Sequence, residues 1–235
     1  MNKSTVQEIK ERFDNDVERF SNLDTGQVAT IDAQISLELL TEASKRIKPD
    51  AQNLLDVGCG AGNYSLKMLT KIANLNCTLV DLSKPMLEKA LERVSNETIG
   101  TVATIQGDVR DVTLEENSFD IILAGAVLHH LRDDNDWEKT FIKLYRLLKP
   151  GGCLMISDLI TQETEAVNEY TWERYGDYLE SVDGKEYRKK VLDYVEKEDS
   201  PRSMTYQLEL MKKVGFKKTE ILHKNMCFGA FGAIK

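Results

Sequence analysis

The sequence contains no apolar run long enough to span a bilayer, and residues 1–6 lack the apolar segment of a signal peptide. We therefore expect a cytoplasmic protein without a membrane partner. Positive charge is also scarce, because 39 Asp and Glu outnumber 31 Lys and Arg and give a net charge of −8. No basic segment is interleaved with aromatic residues, so the sequence does not predict a nucleic-acid partner.

Cysteine is rare and scattered along the chain. The four cysteines (Cys59, Cys77, Cys153 and Cys227) form no Cys-x-x-Cys pair, and they have no metal-site spacing with the three histidines. Isolated cysteines of this kind are typical of small core residues in a reducing compartment. We therefore predict buried free thiols and no metal cofactor.

A glycine-rich turn is the most informative feature that the sequence does contain. Residues 53–57 read as a short buried strand, and Gly58, Gly60 and Gly62 follow it directly. Glycines allow the backbone to approach a ligand where a side chain would collide. Ligands of open α/β sheets lie beyond the carboxyl ends of strands, so we predict a nucleoside-like cofactor here. The alternative is a tight strand-to-helix turn without a ligand.

The spacing of these glycines also distinguishes between cofactors. A dinucleotide fingerprint has two residues between its second and third glycines, whereas only Ala61 separates Gly60 from Gly62. The acidic Asp56 precedes the turn, where its charge would repel a phosphate but would suit an ammonium group. We therefore expect Asp56 and the turn to bind a cationic or zwitterionic ligand rather than a dinucleotide.

Strand-like and helix-like segments alternate through the middle of the chain, which favours a doubly wound parallel sheet. Residues 4–20 and 31–47 have helical spacing of apolar residues, and residues 161–198 form a polar, aromatic and helical stretch in which Gly176 weakens the case for an unbroken helix. Ser200 and Pro201 resemble the start of a helix that ends at Gly215. Strands are predicted at 53–57, 77–81, 102–106, 119–126, 153–158, 218–223 and 226–234.

These segments predict one domain over residues 1–235. Its parts are N-terminal helices in 1–50, a cofactor-binding core in 51–160, a helical cap in 161–200, and a last helix with terminal strands in 201–235. The cap is rich in tyrosine and tryptophan, which either shape an acceptor pocket or form core. Its basic residues either meet an anionic acceptor or form a solvated helix face.

Two further predicted strands end in acidic residues on the same sheet edge as the glycine turn. Asp81 ends the second strand, where a carboxylate can accept hydrogen bonds from both ribose hydroxyls. Asp108 follows the third strand, where it can accept a hydrogen bond from an adenine amino group. The alternative for each is a carboxylate that stabilises a helix N-terminus or caps a turn.

The order of these motifs resembles that of the class I S-adenosylmethionine (SAM)-dependent methyltransferases. The resemblance spans about residues 54–158 and rests on Asp56–Gly62, Asp81, Gly107–Asp108, Phe119–Asp120 and Leu148–Gly152. It implies a Rossmann-like α/β fold with a reversed C-terminal strand pair, SAM as cofactor, and a homodimer. It also implies that Gly58, Gly60 and Gly62 line the methionine portion, Asp81 binds the ribose, and Asp108 with the Val109 backbone binds adenine.

A histidine pair follows the fourth predicted strand. Methyl transfer mainly requires alignment of the nucleophile, but oxygen and carbon acceptors also need a base. Either His129 or His130 can accept a proton near neutral pH. The alternative is that each histidine hydrogen-bonds the loop backbone. Asp158, at the end of the fifth strand, is a further candidate base or a capping residue.

The segments that flank the core resemble the carboxy-SAM synthases of tRNA uridine modification, which use prephenate and transfer no methyl group. This similarity covers Arg12–Phe20 and residues 191–216. Lys189 stands near the position of the arginine that holds the added carboxylate in those enzymes, and a lysine lacks its bidentate fork. We therefore predict a methyltransferase with a small-molecule acceptor. Carboxy-SAM synthesis and a non-catalytic SAM-binding protein are the alternatives.

Overall fold

A seven-stranded sheet organises the part of the chain that the computed structural model describes, residues 3–22 and 26–235. The strands are β1 Asn53–Val57, β2 Asn76–Asp81, β3 Val102–Gln106, β4 Phe119–Gly125, β5 Leu148–Leu159, β6 Lys218–Asn225 and β7 Phe228–Ile234. Their order is β3-β2-β1-β4-β5-β7-β6. The first five pair in parallel, whereas β7 pairs antiparallel with both β5 and β6. The predicted doubly wound sheet with a reversed C-terminal strand pair is therefore confirmed.

Eight α-helices accompany the sheet in these described ranges. They are α1 Val6–Asp14, α2 Val17–Ser21, α3 Ala33–Ile47, α4 Asn63–Leu69, α5 Lys84–Ser95, α6 Asp134–Leu147, α7 Glu165–Glu198 and α8 Met204–Val214. None of the described helices is both long and apolar enough to cross a membrane. Met1 and Asn2 of the N-terminal segment lie outside the described residues.

The central strands are buried on both faces, which explains their nearly continuous apolar sequences. Alternate residues of β1 enter two different clusters: Leu55 packs with Trp137 and Phe141 of α6, whereas Leu54 packs with Leu40 of α3. All five side chains are fully buried or nearly so. Burial of one such large apolar side chain stabilises the fold by about 1.5–3 kcal/mol, so these layers fix the sheet edge that carries the site.

The N-terminal stretch forms two helices rather than the continuous helix that its spacing suggests. Thr5 and Glu8 form a capping box, in which the Thr5 amide donates to Glu8 Oε2 at 2.8 Å and the Glu8 amide donates to Thr5 Oγ1 at 3.2 Å. The chain leaves the helix at Asn15 and Asp16 before α2 begins. Asn and Asp compete with helical hydrogen bonds through their own side chains, which accounts for this break.

The cap helix α7 is interrupted at a different glycine from the one that the sequence suggests. Gly176 is helical and buried, whereas Gly184 has φ +77° beside a non-helical Asp183. A φ in this range favours glycine, so Gly184 permits the kink. The helix is therefore interrupted, but not at Gly176, where it requires no unusual backbone angle.

Several other element boundaries differ from the predictions by one to five residues, and hydrogen bonding explains two of these differences. Helix α8 starts at Met204, because Ser203 Oγ accepts the Tyr206 amide at 3.0 Å, whereas Ser200 donates its amide to the His129 carbonyl at 2.7 Å. Strand β5 starts at Leu148 rather than Cys153, since Leu148 already pairs with Phe119 of β4. The four cysteines are buried and free, as predicted.

Candidate cofactor and acceptor site

The three glycines after β1 occupy positions that a side chain would strain or block. All have positive φ, +64° at Gly58, +50° at Gly60 and +83° at Gly62. A Cβ at Gly58 would lie 2.4 Å from Val127 Cγ2, whereas a Cβ at Gly60 would meet nothing within 4 Å. Gly58 is therefore needed for packing against the β4 loop. Gly60 instead leaves open space beside the turn, where a ligand can approach the backbone.

Asp81, at the end of β2, holds both the glycine turn and the start of the next helix. Its Oδ2 accepts the Gly60 amide and its Oδ1 accepts the Ser83 amide, both at 2.8 Å. Burial raises the pKa of this carboxyl, and the two backbone hydrogen bonds oppose that effect. Each carboxylate oxygen has two lone pairs, so both retain capacity for a further donor such as a ribose hydroxyl. In this geometry Asp81 can support the start of the helix and still accept a ribose hydroxyl, so its two sequence interpretations are compatible.

Asp56 lies beneath the turn and lines neither of the cavities described below. Its Oδ2 accepts the Ser65 amide at 3.1 Å and the Ser65 hydroxyl at 2.7 Å. Burial raises the pKa of Asp56 to about 7, and the hydrogen bonds from Ser65 offset only part of this effect. The structure therefore places Asp56 where it supports the first turn of α4.

Asp108 and Val109 follow β3, as the sequence order requires, and both line a cavity with Asp81. The Asp108 carboxylate accepts hydrogen bonds from Arg110 Nε at 2.9 Å and from Arg110 Nη2 at 2.6 Å. Arg110 Nη1 also donates a hydrogen bond to Asp136 Oδ2 at 2.6 Å. Burial opposes ionisation of Asp108, but the hydrogen bonds from Arg110 lower its pKa below the ordinary value. The side chain of Asp108 is therefore fixed in place by Arg110.

Two cavities adjoin the glycine turn. The inner cavity lies along the ends of β1, β2 and β3, contains Asp108 and Val109, and is covered by residues 4–6 and Ile9 of the N-terminal segment. The aromatic cavity lies on the other side of the turn, and its aromatic lining consists of Phe13, Phe20, Tyr64, Tyr175, Tyr194 and Phe228. Both cavities share Gly58, Asp81, Leu82, Val127 and His130.

The histidine pair stands on a short 3-10 turn, Leu128–His130, that Asp158 caps from the end of β5. Asp158 Oδ2 accepts the Leu128 amide at 2.8 Å and the His129 amide at 3.2 Å, while its Oδ1 contacts His129 Nδ1. Asp158 therefore caps a turn that precedes it in the sequence, whereas the sequence suggested a cap for the segment that follows β5. It also fixes the orientation of one imidazole ring.

Asp199 faces both histidines from the chain that follows α7. Its Oδ1 lies 3.7 Å from His129 Nε2 and 3.1 Å from His130 Nδ1. Burial alone would lower the pKa of His129, but the carboxylates of Asp158 and Asp199 outweigh burial and raise that pKa to about 9. Burial and then the neighbouring His129 lower the pKa of His130.

Arg12 and Asp199 line the aromatic cavity, and the sequence identified neither of them as a site residue. Arg12 forms a paired contact with Glu198, with Nη2 to Oε2 at 2.7 Å and Nε to Oε2 at 2.9 Å. This pair fastens α1 to the end of α7 beside Asp199. Pairing between such distant segments leaves no local sequence signal, although both segments belong to the flanks that resemble carboxy-SAM synthases.

The aromatic residues of α7 divide between core and surface. Tyr175 is buried, lines the aromatic cavity and donates its hydroxyl to the Ala29 carbonyl at 2.9 Å, whereas Tyr170 is 60% exposed. Trp172 and Tyr178 pack in the core cluster beside it and line neither cavity.

The basic residues of α7 form the solvated face that was one of the two interpretations. Arg174 and Arg188 both pair with Asp177, and Lys189 pairs with Asp193. Lys189 is exposed and lines neither cavity. Lys189 therefore contributes no charge to the lining of either cavity.

Known proteins resemble this chain over the part that carries the glycine turn and the strand ends. A family model described as a methyltransferase domain matches residues 54–152. A demethylmenaquinone methyltransferase of Listeria monocytogenes is 30% identical over 172 residues, which cover 70% of this chain and 69% of that protein. A carboxy-S-adenosyl-L-methionine synthase of Vibrio atlanticus is 27% identical over 197 residues, 82% of this chain and 80% of that protein.

A solved structure shows the same fold. Human N-acetylserotonin methyltransferase, crystallised in complex with SAM, superimposes with a TM-score of 0.62 over 96% of this chain and 56% of that chain. Only 17% of the residues are identical, so this likeness concerns the architecture alone.

Proposed function

Because the chain belongs to the class I SAM-dependent methyltransferases, we propose that it methylates a small molecule bound in the aromatic cavity. The observation that carries this proposal is the position of His130, which lines both the inner and the aromatic cavity next to the glycine turn. A nucleophile bound in the aromatic cavity would therefore lie between the histidine pair and the cofactor.

The residues of the glycine turn and of the inner cavity fit SAM, with Gly60 lining the aromatic cavity and Asp81 lining both cavities, and we assign them as follows. The open space at Gly60 admits the amino-acid portion against the turn, with Gly58 and Gly62 shaping that backbone. Asp81 has lone pairs left for the ribose hydroxyls, and Asp108 with the Val109 backbone faces the adenine end of the cavity. Asp56 supports this arrangement indirectly through Ser65.

Bound SAM supplies an electrophilic methyl group on a sulfonium sulfur. The protein's task is then to align an acceptor atom with the sulfur–methyl bond and to exclude water. The aromatic lining, with Phe13 and Phe20 from the N-terminal helices and Tyr175 and Phe228 from the opposite side, suits a planar or apolar acceptor body. Arg12, paired with Glu198, closes this side of the cavity.

The histidine pair promotes loss of the proton from the acceptor's nucleophilic atom. Transfer of the methyl group would leave the electron pair of the broken bond on the cofactor's sulfur and release one acceptor proton. The His130 ring would accept this proton, because its lowered pKa keeps it neutral while the raised pKa of His129 keeps that ring protonated. His129 is oriented by Asp158, and its Nε2 faces Asp199 at the wall of the aromatic cavity. This arrangement supports roles for both His129 and His130 in the transfer.

Carboxy-SAM synthesis is the second candidate, and the similarity to the Vibrio atlanticus synthase favours it. The exposed position of Lys189 argues against it, because this lysine does not face either cavity. Arg12 and Arg19 both line the aromatic cavity, but Arg12 is already paired with Glu198 and Arg19 with Asp16. The charge available for an added carboxylate is therefore limited.

The test is a screen of phenolic, quinol and amine acceptors in which release of S-adenosylhomocysteine is measured. Turnover with a small acceptor that is lost in His129→Gln and retained in His223→Gln would support the proposal. His223 is a suitable control because it pairs with Asp32 and lines neither cavity. Retention of the protein on tRNA at moderate salt, with methylation of the RNA, would contradict it.

A further inference from the structure

Three potential metal ligands converge at the junction of the two cavities. They are a nitrogen from each of His129 and His130 and a carboxylate oxygen of Asp199, and these atoms all lie within 4.8 Å of one another. His129 Nε2 is 3.7 Å from Asp199 Oδ1, and His130 Nδ1 is 3.1 Å from the same oxygen. The group is formed by the turn after β4 and the chain after α7, so the fold brings it together.

Three polar atoms of this group, on His130 and Asp199, lack hydrogen-bond partners although they are buried. His130 Nδ1, His130 Nε2 and Asp199 Oδ1 are all inaccessible to solvent and make no hydrogen bond within the described residues. The Asp199 side chain is only 2% exposed. Buried polar atoms without partners are costly and rare, so their presence here indicates a ligand that supplies the missing interactions.

We propose that His129, His130 and Asp199 bind one divalent transition-metal ion such as Zn²⁺. In a tetrahedral site with metal–ligand bonds of about 2.0–2.1 Å, ligand atoms lie about 3.3 Å apart. The observed separations from Asp199 Oδ1 fall on either side of that value. In such a site the lone pairs point at the ion and not at each other, which explains why His130 and Asp199 are close but unbonded.

Asp158 provides the support that metal-binding imidazoles usually have. It contacts Nδ1 of His129 and thereby leaves Nε2, the nitrogen nearer Asp199, available as a ligand. A ligand histidine typically donates its other ring N–H to a carboxylate, which fixes the tautomer and the ring orientation. The same Asp158 also caps the turn that carries both histidines, so the pair cannot rotate away easily.

The surrounding charges are compatible with a cation. Asp158 and Asp199 contact the histidines directly, and Glu198 lies next in the chain. The positive charge of Arg12 is taken up by its paired contact with Glu198. Two imidazoles and one carboxylate form a ligand set that suits zinc and other first-row divalent ions, and three protein ligands leave a position open.

The open position faces the aromatic cavity, since both histidines and Asp199 line it. For the proposed methyl transfer, an acceptor oxygen bound to the ion would lose its proton more readily. Only this catalytic consequence rests on the proposed function, because metal binding itself requires no substrate. The sequence predicted no metal because Asp199 lies far along the chain from the histidines.

The test is titration of chelator-treated protein with Zn²⁺ by calorimetry and with Co²⁺ by visible absorption, in the absence of SAM and acceptor. We expect one ion per chain, with affinity reduced at least about 100-fold in His130→Ala and in Asp199→Asn. The supporting Asp158→Asn should weaken binding by about 10- to 100-fold. His223→Ala should bind like the wild type, since His223 pairs with Asp32 outside both cavities.

Absence of a single strong site in the wild type, or an equal loss of affinity in His223→Ala, would overturn the metal proposal. Circular dichroism of each variant establishes that it is folded, and retention of SAM binding in His130→Ala would show that the neighbouring cofactor site is intact. Methyl transfer by protein that binds no ion would overturn the metal site alone. Metal binding with the predicted variant pattern but no methylation of any small acceptor would instead count against the proposed function.

Discussion

The Oδ2 atom of Asp81 accepts a hydrogen bond from the backbone amide of Gly60 at 2.8 Å, so the end of β2 holds the glycine turn that follows β1. Neighbouring parallel strands end at the same edge of the sheet, which is why residues so far apart in sequence meet here. One carboxylate thus shapes the turn and retains lone pairs for a ligand. This relationship determines the first prediction.

Asp81→Asn should weaken binding of SAM by about 10- to 100-fold, because a neutral amide cannot accept both backbone hydrogen bonds and still serve a ribose. Hydrogen bonds to a charged group contribute about 1.5–3 kcal/mol each. Calorimetric titration with SAM measures the change. Glu88→Gln on the exposed side of α5 is the control. Unchanged affinity in folded Asp81→Asn would refute our placement of the ribose.

Gly60→Ala should lower SAM affinity more than its effect on stability explains. Gly60 and Gly151 both have positive φ, and a Cβ at either would meet nothing within 4 Å. Gly151→Ala is therefore a matched control that carries similar backbone strain, about 1–2 kcal/mol, outside both cavities. We expect similar melting temperatures for the two variants but reduced SAM binding only for Gly60→Ala. Equal SAM affinities would show that Gly60 does not face the cofactor.

Asp56 should make the folded state less stable as pH rises through the acidic range. Burial raises its folded pKa from 3.8 to about 7, so the folded protein retains a proton that the unfolded chain has already lost. The contribution of this group is therefore most favourable below about pH 4 and declines until about pH 7. Urea unfolding at pH 5 and pH 8 should show that Asp56→Asn removes up to about 3 kcal/mol of this pH dependence. A variant with the same pH slope as the wild type would contradict this account.

Arg12→Met should loosen the N-terminal helix, because it leaves the Glu198 carboxylate without its charged partner in a largely buried position. We expect a loss of about 1–3 kcal/mol in the free energy of unfolding. Hydrogen exchange of the amides in residues 4–14 should also become faster. Lys10→Met, which breaks the more exposed pair with Asp14 on the same helix, should change both quantities little. Equal effects of the two substitutions would show that the Arg12–Glu198 pair has no special role.

The local sequence was sufficient to predict most of the sheet and the strand ends around the glycine turn. β1 and β3 have the predicted bounds, since short buried strands bounded by turns have a clear apolar pattern. A local signal also accounts for the start of α5, where the Ser83 hydroxyl accepts the Met86 amide at 3.3 Å. These features depend on neighbouring residues, which is why the sequence reveals them.

Features that depend on distant contacts were harder to predict. Ser200 does not begin α8, because its amide is hydrogen-bonded to the His129 carbonyl, and Asp199 beside it contacts the histidines from the same segment. The kink in α7 lies at Gly184 and not at Gly176. Gly176 instead packs against the side chain of Arg188, which lies beyond the kink. No local pattern carries this information.

Native mass spectrometry of the protein purified from cells, followed by titration with SAM, tests the central claim most directly. We predict a retained mass that corresponds to SAM or S-adenosylhomocysteine, and saturable SAM binding that Asp81→Asn weakens. A retained ligand heavier than SAM by a carboxyl group would instead identify a carboxy-SAM enzyme. Absence of both a retained ligand and SAM binding would contradict the account of this site.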